Sequence, residues 1–444
     1  MAAEDLARAA ARAFTMAGWR HRVIIATYAY QGLAAGFGLT ALPNHAAALG
    51  APAAVIGGMS AMIGLPWALQ PLWGPVVDGN GQFAMGRRRA WLILALAGAL
   101  ACLALLPLAG DGLAALPWLG GILMLHSACA ALADTAMDAM IIDRTPPGEL
   151  GRATALTRMG FVGGMALGAA AFAWAIPALG LPAAALLLLA LGALATLPVL
   201  LVREAPGDDI LSLRHRPADP GEARVPLRRL LWRLFAAMRR REALALIGLC
   251  VAEEFATSAF GVRLAVAMIQ EGGWDPAALS RLQGALAVLG GTAGALAIGW
   301  WSDRIGPYRA LALLLGLCAV AYAGSALLLQ GPPSGWPSAL ALGLTGMMPA
   351  LAFVALAPAV MRSSRGVAAA SRFALFMASL NLGSSLGAAA SGPIGAVLPP
   401  WQAALAAAAV FAACATVAAK PERLFRGAGS RSESAGNRSA AMAD

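Results

Sequence analysis

Four long stretches of this chain carry no formal charge. No Asp, Glu, Lys or Arg occurs between Arg22 and Asp78, Arg158 and Arg203, Arg309 and Arg362, or Arg372 and Lys420. One helical crossing of a bilayer takes roughly 20 predominantly apolar residues, so each stretch has room for two crossings and a short turn. Charge returns at one end of each pair, mostly as arginine. A chain written this way folds as apolar hairpins whose uncharged turns face one side of a membrane. The crossings are helical, because lipid offers the backbone no hydrogen-bond partner.

Composition narrows the class further. The 444 residues are 60% apolar and 12% charged, against roughly 25% charge in soluble chains. A net charge of +10 raises nucleic acid as a partner, but the basic residues sit between apolar segments without interleaved aromatics, which excludes that reading. Lys420 is the only lysine, so no intramembrane lysine couples or binds, and a Gly-x-x-x-x-Gly-Lys-Ser/Thr phosphate loop cannot occur. Cys102, Cys129, Cys250, Cys318 and Cys414 fall inside predicted spans without paired spacing, as packing residues do. No metal or cofactor motif is present, and no Ser/His/Asp spacing suggests an enzyme.

Twelve helices fit the pattern, over about 22–47, 52–77, 89–110, 115–143, 151–177, 180–202, 242–270, 278–302, 307–329, 336–362, 367–396 and 400–419. The expected fold is an all-α polytopic membrane protein of two six-helix halves, 22–202 and 242–419. Residues 1–21 carry charges and no cleavable apolar core, so they read as a retained N-terminal segment. Residues 203–241 read as a linker in which Leu227, Leu230, Leu231, Leu234 and Phe235 share one face of an interfacial helix. Residues 420–444 read as a disordered tail. Arginine gathers in the loops after spans two, four, six, eight and ten, while the opposite loops hold only Asp111, Glu271, Asp275 and Arg281. Both termini are therefore expected in the cytoplasm, and the chain in a bacterial inner membrane.

The halves repeat one another. After span two comes Gly74-x-x-x-Asp78, then Gly86-Arg87-Arg88-Arg89; after span eight comes Gly299-x-x-x-Asp303-Arg304-x-Gly306-x-x-Arg309. Equivalent positions with equivalent loops indicate a duplicated six-helix unit. These loops resemble the signature of the major facilitator superfamily, the first copy being interrupted by Gly79 to Met85. Leu65-Pro66-Trp67 through Asp78, the fourth-span run Asp134-Thr135-Ala136-Met137-Asp138-Ala139-Met140, Phe353-Val354-Ala355-Leu356 and Ala370-Ser371-Arg372-Phe373-Ala374-Leu375 together resemble the AmpG-related permeases, which include muropeptide permeases and RhtX-type siderophore permeases. Gln31-Gly32-Leu33 with Ala41-Leu42-Pro43 is more similar to the siderophore side, and Ala133, Met140, Ile141 and Val162 depart from the muropeptide pattern. The resemblance implies alternating access, with those loops as gates and a proton gradient driving import.

Ionisable groups inside a bilayer are costly and mark function by default. Asp134 and Asp138 share a face of span four, and two carboxylates in a low-dielectric cavity tend to hold a proton between them. Asp138 has a structural alternative, an ion pair with Arg158 at similar depth in span five. Asp134 has no evident partner. Glu253 and Glu254 lie midway along span seven, about 100° apart on a helix, so only one can face a cavity squarely and the other a neighbour or Arg263; the resemblance implies that span seven lines the cavity with an acidic residue at Glu253, the expected protonatable site. Arg372 either holds an anionic substrate group or, as the resemblance to the superfamily implies, closes an inner gate with Asp78. Tyr28, Tyr30, Gln31, Asn44 and His45 are candidates to line the cavity from span one, whereas His126 reads as packing. Asn381, Ser384 and Ser385 read as helix-packing polar residues with Asn381 a candidate ligand, and Gly160, Gly164, Gly168, Gly383 and Gly387 as spacers on which the halves rock. The expected protein is a monomeric proton-coupled importer of a small or medium polar solute, a siderophore ahead of a muropeptide, with lipid as its surroundings. Efflux and a non-transporting assembly role are the alternatives.

Overall fold

The computed structural model describes residues 13–79, 83–146, 149–215, 232, 239, 241–364 and 369–420. Its elements are helices: α1 Ala17–Ala48, α2 Ala53–Leu72, α3 Arg87–Ala109, α4 Leu113–Arg144, α5 Leu150–Leu179 and α6 Leu181–Leu201 form the first half. The second half opens with α7 Arg241–Gln270 and holds two interrupted helices. Of these, α8 runs as Pro276–Leu289, a π turn at Gly290–Gly294 and Ala295–Ile305. After α9 Pro307–Leu328, α10 runs as Gly335–Gly346 and Met348–Ser364, and α11 Ala369–Val397 and α12 Pro400–Ala418 complete the half. All but α8 are long and apolar enough to cross a membrane as they stand. Among the described residues the only β pairings are isolated bridges.

In α1 and α10 the interruptions fall beside a proline, which removes a backbone donor, whereas the π turn of α8 is glycine-rich. In α1 a π turn at Phe37–Ala41 precedes Pro43, whose missing N–H breaks the regular ladder. In α10 the helix stops at Gly346 and restarts at Met348, and Pro349 has no N–H to return to Thr345.

Within each half the same pair of helices packs most closely. A Cβ at Gly32 of α1 would strike the Phe161 carbonyl oxygen, and one at Gly164 of α5 the Ala29 carbonyl oxygen. Gly383 and Gly387 of α11 meet the carbonyl oxygens of Val251 and Phe255 on α7 in the same manner. The duplication is thus visible in packing. It also corrects the expectation for these glycines: they press α5 and α11 onto α1 and α7 of their own halves and are not sliding surfaces between halves. The halves meet instead along α2–α11 and α5–α8, where a Cβ at Gly64 would lie 2.6 Å from Ser385 Oγ and one at Gly284 3.3 Å from the Ala166 Cα.

Residues 203–215 are not free linker. Phe14 N–H donates to the Arg203 carbonyl at 2.8 Å, Ala84 N–H to Arg214 O at 2.8 Å, and Asp209 N–H to Ala84 O at 2.9 Å. The segment therefore lies across the arginine-rich face of the first half. The amphipathic stretch 227–235, apart from exposed Trp232, and the tail beyond Lys420 lie outside the described residues. The first span also starts earlier than expected, which places Arg20 inside α1, 1% exposed and paired with Glu149.

Candidate functional site

Polar side chains from three helices of the first half converge on α4. Asp138 Oδ1 accepts a hydrogen bond from the Tyr28 hydroxyl of α1 at 2.6 Å. One turn away, Asp134 Oδ2 accepts from Gln70 Nε2 of α2 at 2.6 Å. Gln31, one turn beyond Tyr28 on α1, is buried beside Asp134 with its Nε2 unpartnered. From α5, Arg158 lies within electrostatic range of Asp134 and Tyr28. Asp138 and Arg158 are exposed and Asp134 partly so, although all three lie within spans. Arg158 also crosses to the other half, its guanidinium carbon 4.1 Å from the centre of the Phe353 ring on α10. The cluster therefore lines a cleft between the halves.

Two expectations change here. Arg158 stacks on Phe353 and forms no ion pair with Asp138, whose partner is Tyr28. A guanidinium over an aromatic face keeps its charge and its N–H groups available. Asp134, expected to lack a partner, is held by Gln70. Neither Gln70 nor Phe353 was evident as a site residue from sequence, because neither is charged and their distance from α4 along the chain gives no periodic signal.

On α7, Glu254 is partly exposed while Glu253 is 2% exposed, and neither Glu253 oxygen has a partner. Arg263 does not serve as their base; it pairs with Glu271 at 2.8 Å. Asn381 of α11 donates to the Trp67 carbonyl of α2 at 3.3 Å, across the halves. Asn44 does not line the cleft: it is 3% exposed and donates to Ser280 Oγ and Gln283 Oε1 of α8, each at 2.8 Å. Gln270 Nε2 adds bonds to the carbonyls of Ala47 and Ala51 at 3.0 and 2.8 Å. Together these close the end of the cleft remote from the arginine-rich face. Tyr30 is fully buried and bonded to His126 at 2.9 Å, packing within the first half.

The loop residues divide. Arg88 pairs with Asp143 at 2.9 Å, and Arg89, 1% exposed, donates to the carbonyls of Val199, Leu200 and Ile210. Buried Glu204 accepts from the backbone N–H groups of Arg88 and Arg89 and pairs with Arg144 at 3.0 Å. A carboxylate there caps the first turn of α3, where donors are free and the helix dipole favours negative charge. Nothing in the sequence signals that capping, since Glu204 lies 116 residues from Arg88. In the second half, exposed Arg304 covers Trp300 at 3.4 Å, Gly306 takes a positive φ of 88° before α9, and Arg309 is exposed. Gly74 lies in the short helix Trp73–Gly79 after α2. The surroundings of Asp78, Gly299, Asp303 and Arg372 lie outside what is described, although each residue is helical; Arg87 makes contacts of its own.

Among the described residues, twelve helices in two equivalent halves, eleven of them long and apolar enough to cross a membrane as they stand, gather ionisable side chains between the halves, as a multi-pass membrane transporter does and an enzyme does not. The Major Facilitator Superfamily pattern matches residues 24–371, and this chain belongs to that superfamily. Solved structures agree in fold. A mutant form of the nucleoside transporter NupG is 16% identical with a TM-score of 0.64, covering 92% of this chain and 100% of its own. A mutant form of a peptide transporter POT, in complex with alafosfalin, is 14% identical with a TM-score of 0.65, covering 95% and 99%. A POT family transporter in complex with 5-aminolevulinic acid is 12% identical with a TM-score of 0.64, covering 92% and 96%.

Proposed function

We propose that this protein is a proton-coupled importer of a medium-sized polar solute, with a siderophore as its substrate class. The observation that supports it is the cleft cluster. Two carboxylates on one face of α4 are held by neutral donors from Tyr28 and Gln70, with a cation, Arg158, released to an aromatic ring opposite. Carboxylates held by neutral donors, with no ion-paired base, remain able to exchange a proton. The unpartnered Gln31 amide and the available Arg158 fork supply donors for an oxygen-rich, anionic solute. Asp134 and Asp138 carry the proton, and Glu254, partly exposed on α7, is a candidate second carrier in the other half.

The same reading puts the protein in a bacterial inner membrane as a monomer, both termini and the arginine-rich face cytoplasmic, with the halves bounded at 22–202 and 242–419. The resemblance to siderophore permeases at Gln31-Gly32-Leu33 and Ala41-Leu42-Pro43 supports the substrate class. The test is uptake of labelled siderophore under iron limitation in a deletion strain. Loss of uptake, restored by the gene and by no version carrying Asp134→Asn, establishes the importer and its coupling residue. Undiminished uptake in the deletion strain, with other permeases removed, overturns the substrate and turns the search to muropeptides.

A further inference from the structure

Glu253 stands apart from the cleft. It is 2% exposed, and both carboxylate oxygens are enclosed without a hydrogen-bond partner. Thr257, one turn further along α7, has a fully enclosed hydroxyl oxygen, with the Tyr322 hydroxyl of α9 beside it. Residues four apart share a helix face, so three enclosed oxygens from two side chains lie on one face of α7. Cys250 on α7, Cys318 and Tyr322 on α9, and Cys414 on α12 lie within reach of the Glu253 charge. None supplies a cation, and the Cys318 thiol is directed at Met348 Sδ, 3.5 Å away. Arg263 is taken by Glu271.

An uncompensated buried carboxylate is costly, so the native protein must balance it. A proton would satisfy one of its two oxygens. A small cation would use all three oxygens, and hard cations prefer oxygen ligands. The break in α10 is a second, independent feature. Gly335–Gly346 and Met348–Ser364 are separate helices, and Met348 at the break is the residue that touches Cys318. Interrupted membrane helices leave carbonyl oxygens free, and coupling ions collect near such breaks.

We propose that Glu253 and Thr257 form a sodium-ion site inside the second half, distinct from the cleft at Asp134 and Asp138. Glu254, the next residue, lies within electrostatic range as a second carboxylate, and the Glu253 carboxylate by itself balances one positive charge. Among the described residues no group of three or more His, Cys, Asp or Glu exists to hold a multivalent metal.

The test is thermal unfolding of the purified protein in detergent, in sodium, potassium and choline chloride at equal ionic strength. A ligand that binds only the folded state raises Tm saturably. Wild type and Asp134→Asn should both show a sodium-specific rise of a few degrees. Glu253→Gln should abolish that rise, and Thr257→Val should move its midpoint at least tenfold to higher sodium. Equal Tm in all three salts, or a sodium response that survives Glu253→Gln, overturns the site. So does a Tm independent of salt whose pH dependence disappears in Glu253→Gln, which assigns the position to a proton. Should Glu253→Gln fail to fold, an unchanged midpoint in Thr257→Val overturns it alone. Siderophore uptake is read separately, so either reading can fail without the other.

Discussion

Arg89 shows how a buried charge is tolerated here. It is 1% exposed, and its guanidinium donates to the Val199, Leu200 and Ile210 carbonyls at 3.1, 2.9 and 2.6 Å. Hydrogen bonds from a charged group contribute about 1.5–3 kcal/mol each, and an orphaned buried carbonyl carries its own penalty. Arg89→Ala should therefore destabilise the first half by at least ~2 kcal/mol, read as a lowered Tm in detergent; an unchanged Tm would show the network to be ornamental. In the cleft the expected effect is on transport instead. Tyr28→Phe removes the 2.6 Å bond to Asp138 and should leave Tm within a few degrees while altering the pH dependence of uptake. Carboxylates load protons as pH falls, so wild-type uptake should rise with acid outside, and Asp134→Asn should flatten that profile. A steep acid dependence retained in Asp134→Asn and Asp138→Asn would move the coupling elsewhere.

Among the elements, the pairs α1–α5 and α7–α11 set the rigidity of each half. Gly164 has the Ala29 carbonyl where a Cβ would go, whereas its neighbour Gly163 has nothing within 4 Å. Overpacking of this kind costs about 1–3 kcal/mol. Gly164→Ala should lower Tm or yield, and Gly163→Ala should not; equal behaviour would mean that the helices separate easily. The glycine spacing was legible in the sequence, but its partner was not. A four-residue repeat says that some helix approaches closely, and only packing decides that the helix belongs to the same half.

At the scale of the whole molecule, one end of the cleft is sealed by Asn44 with Ser280 and Gln283, and by Gln270 with Ala47 and Ala51. Toward the other end, Arg158 on Phe353 and Asn381 on Trp67 bridge the halves. Alternating access requires the first seal to open. A disulfide across Asn44→Cys and Gln283→Cys should form under mild oxidation and stop uptake, and a reductant should restore it. Uptake that continues through the crosslinked protein would exclude rocking about this end.

The charge-free stretches determined the helical membrane fold, because bilayer thickness and backbone hydrogen bonding leave a uniform apolar run one structure, and the matching loops after spans two and eight marked the repeat. The sequence also marked Asp134, Asp138, Arg158 and Glu253, since charge in a span is conspicuous. Only the tertiary structure gave them their partners. Gln70 reaches Asp134 from 64 residues away and Glu204 caps Arg88 from 116, and Arg158 turns from a neighbouring carboxylate to a ring in the opposite half. Such choices depend on which faces meet once the helices are packed, and helical periodicity fixes the face of a residue without naming what lies across from it.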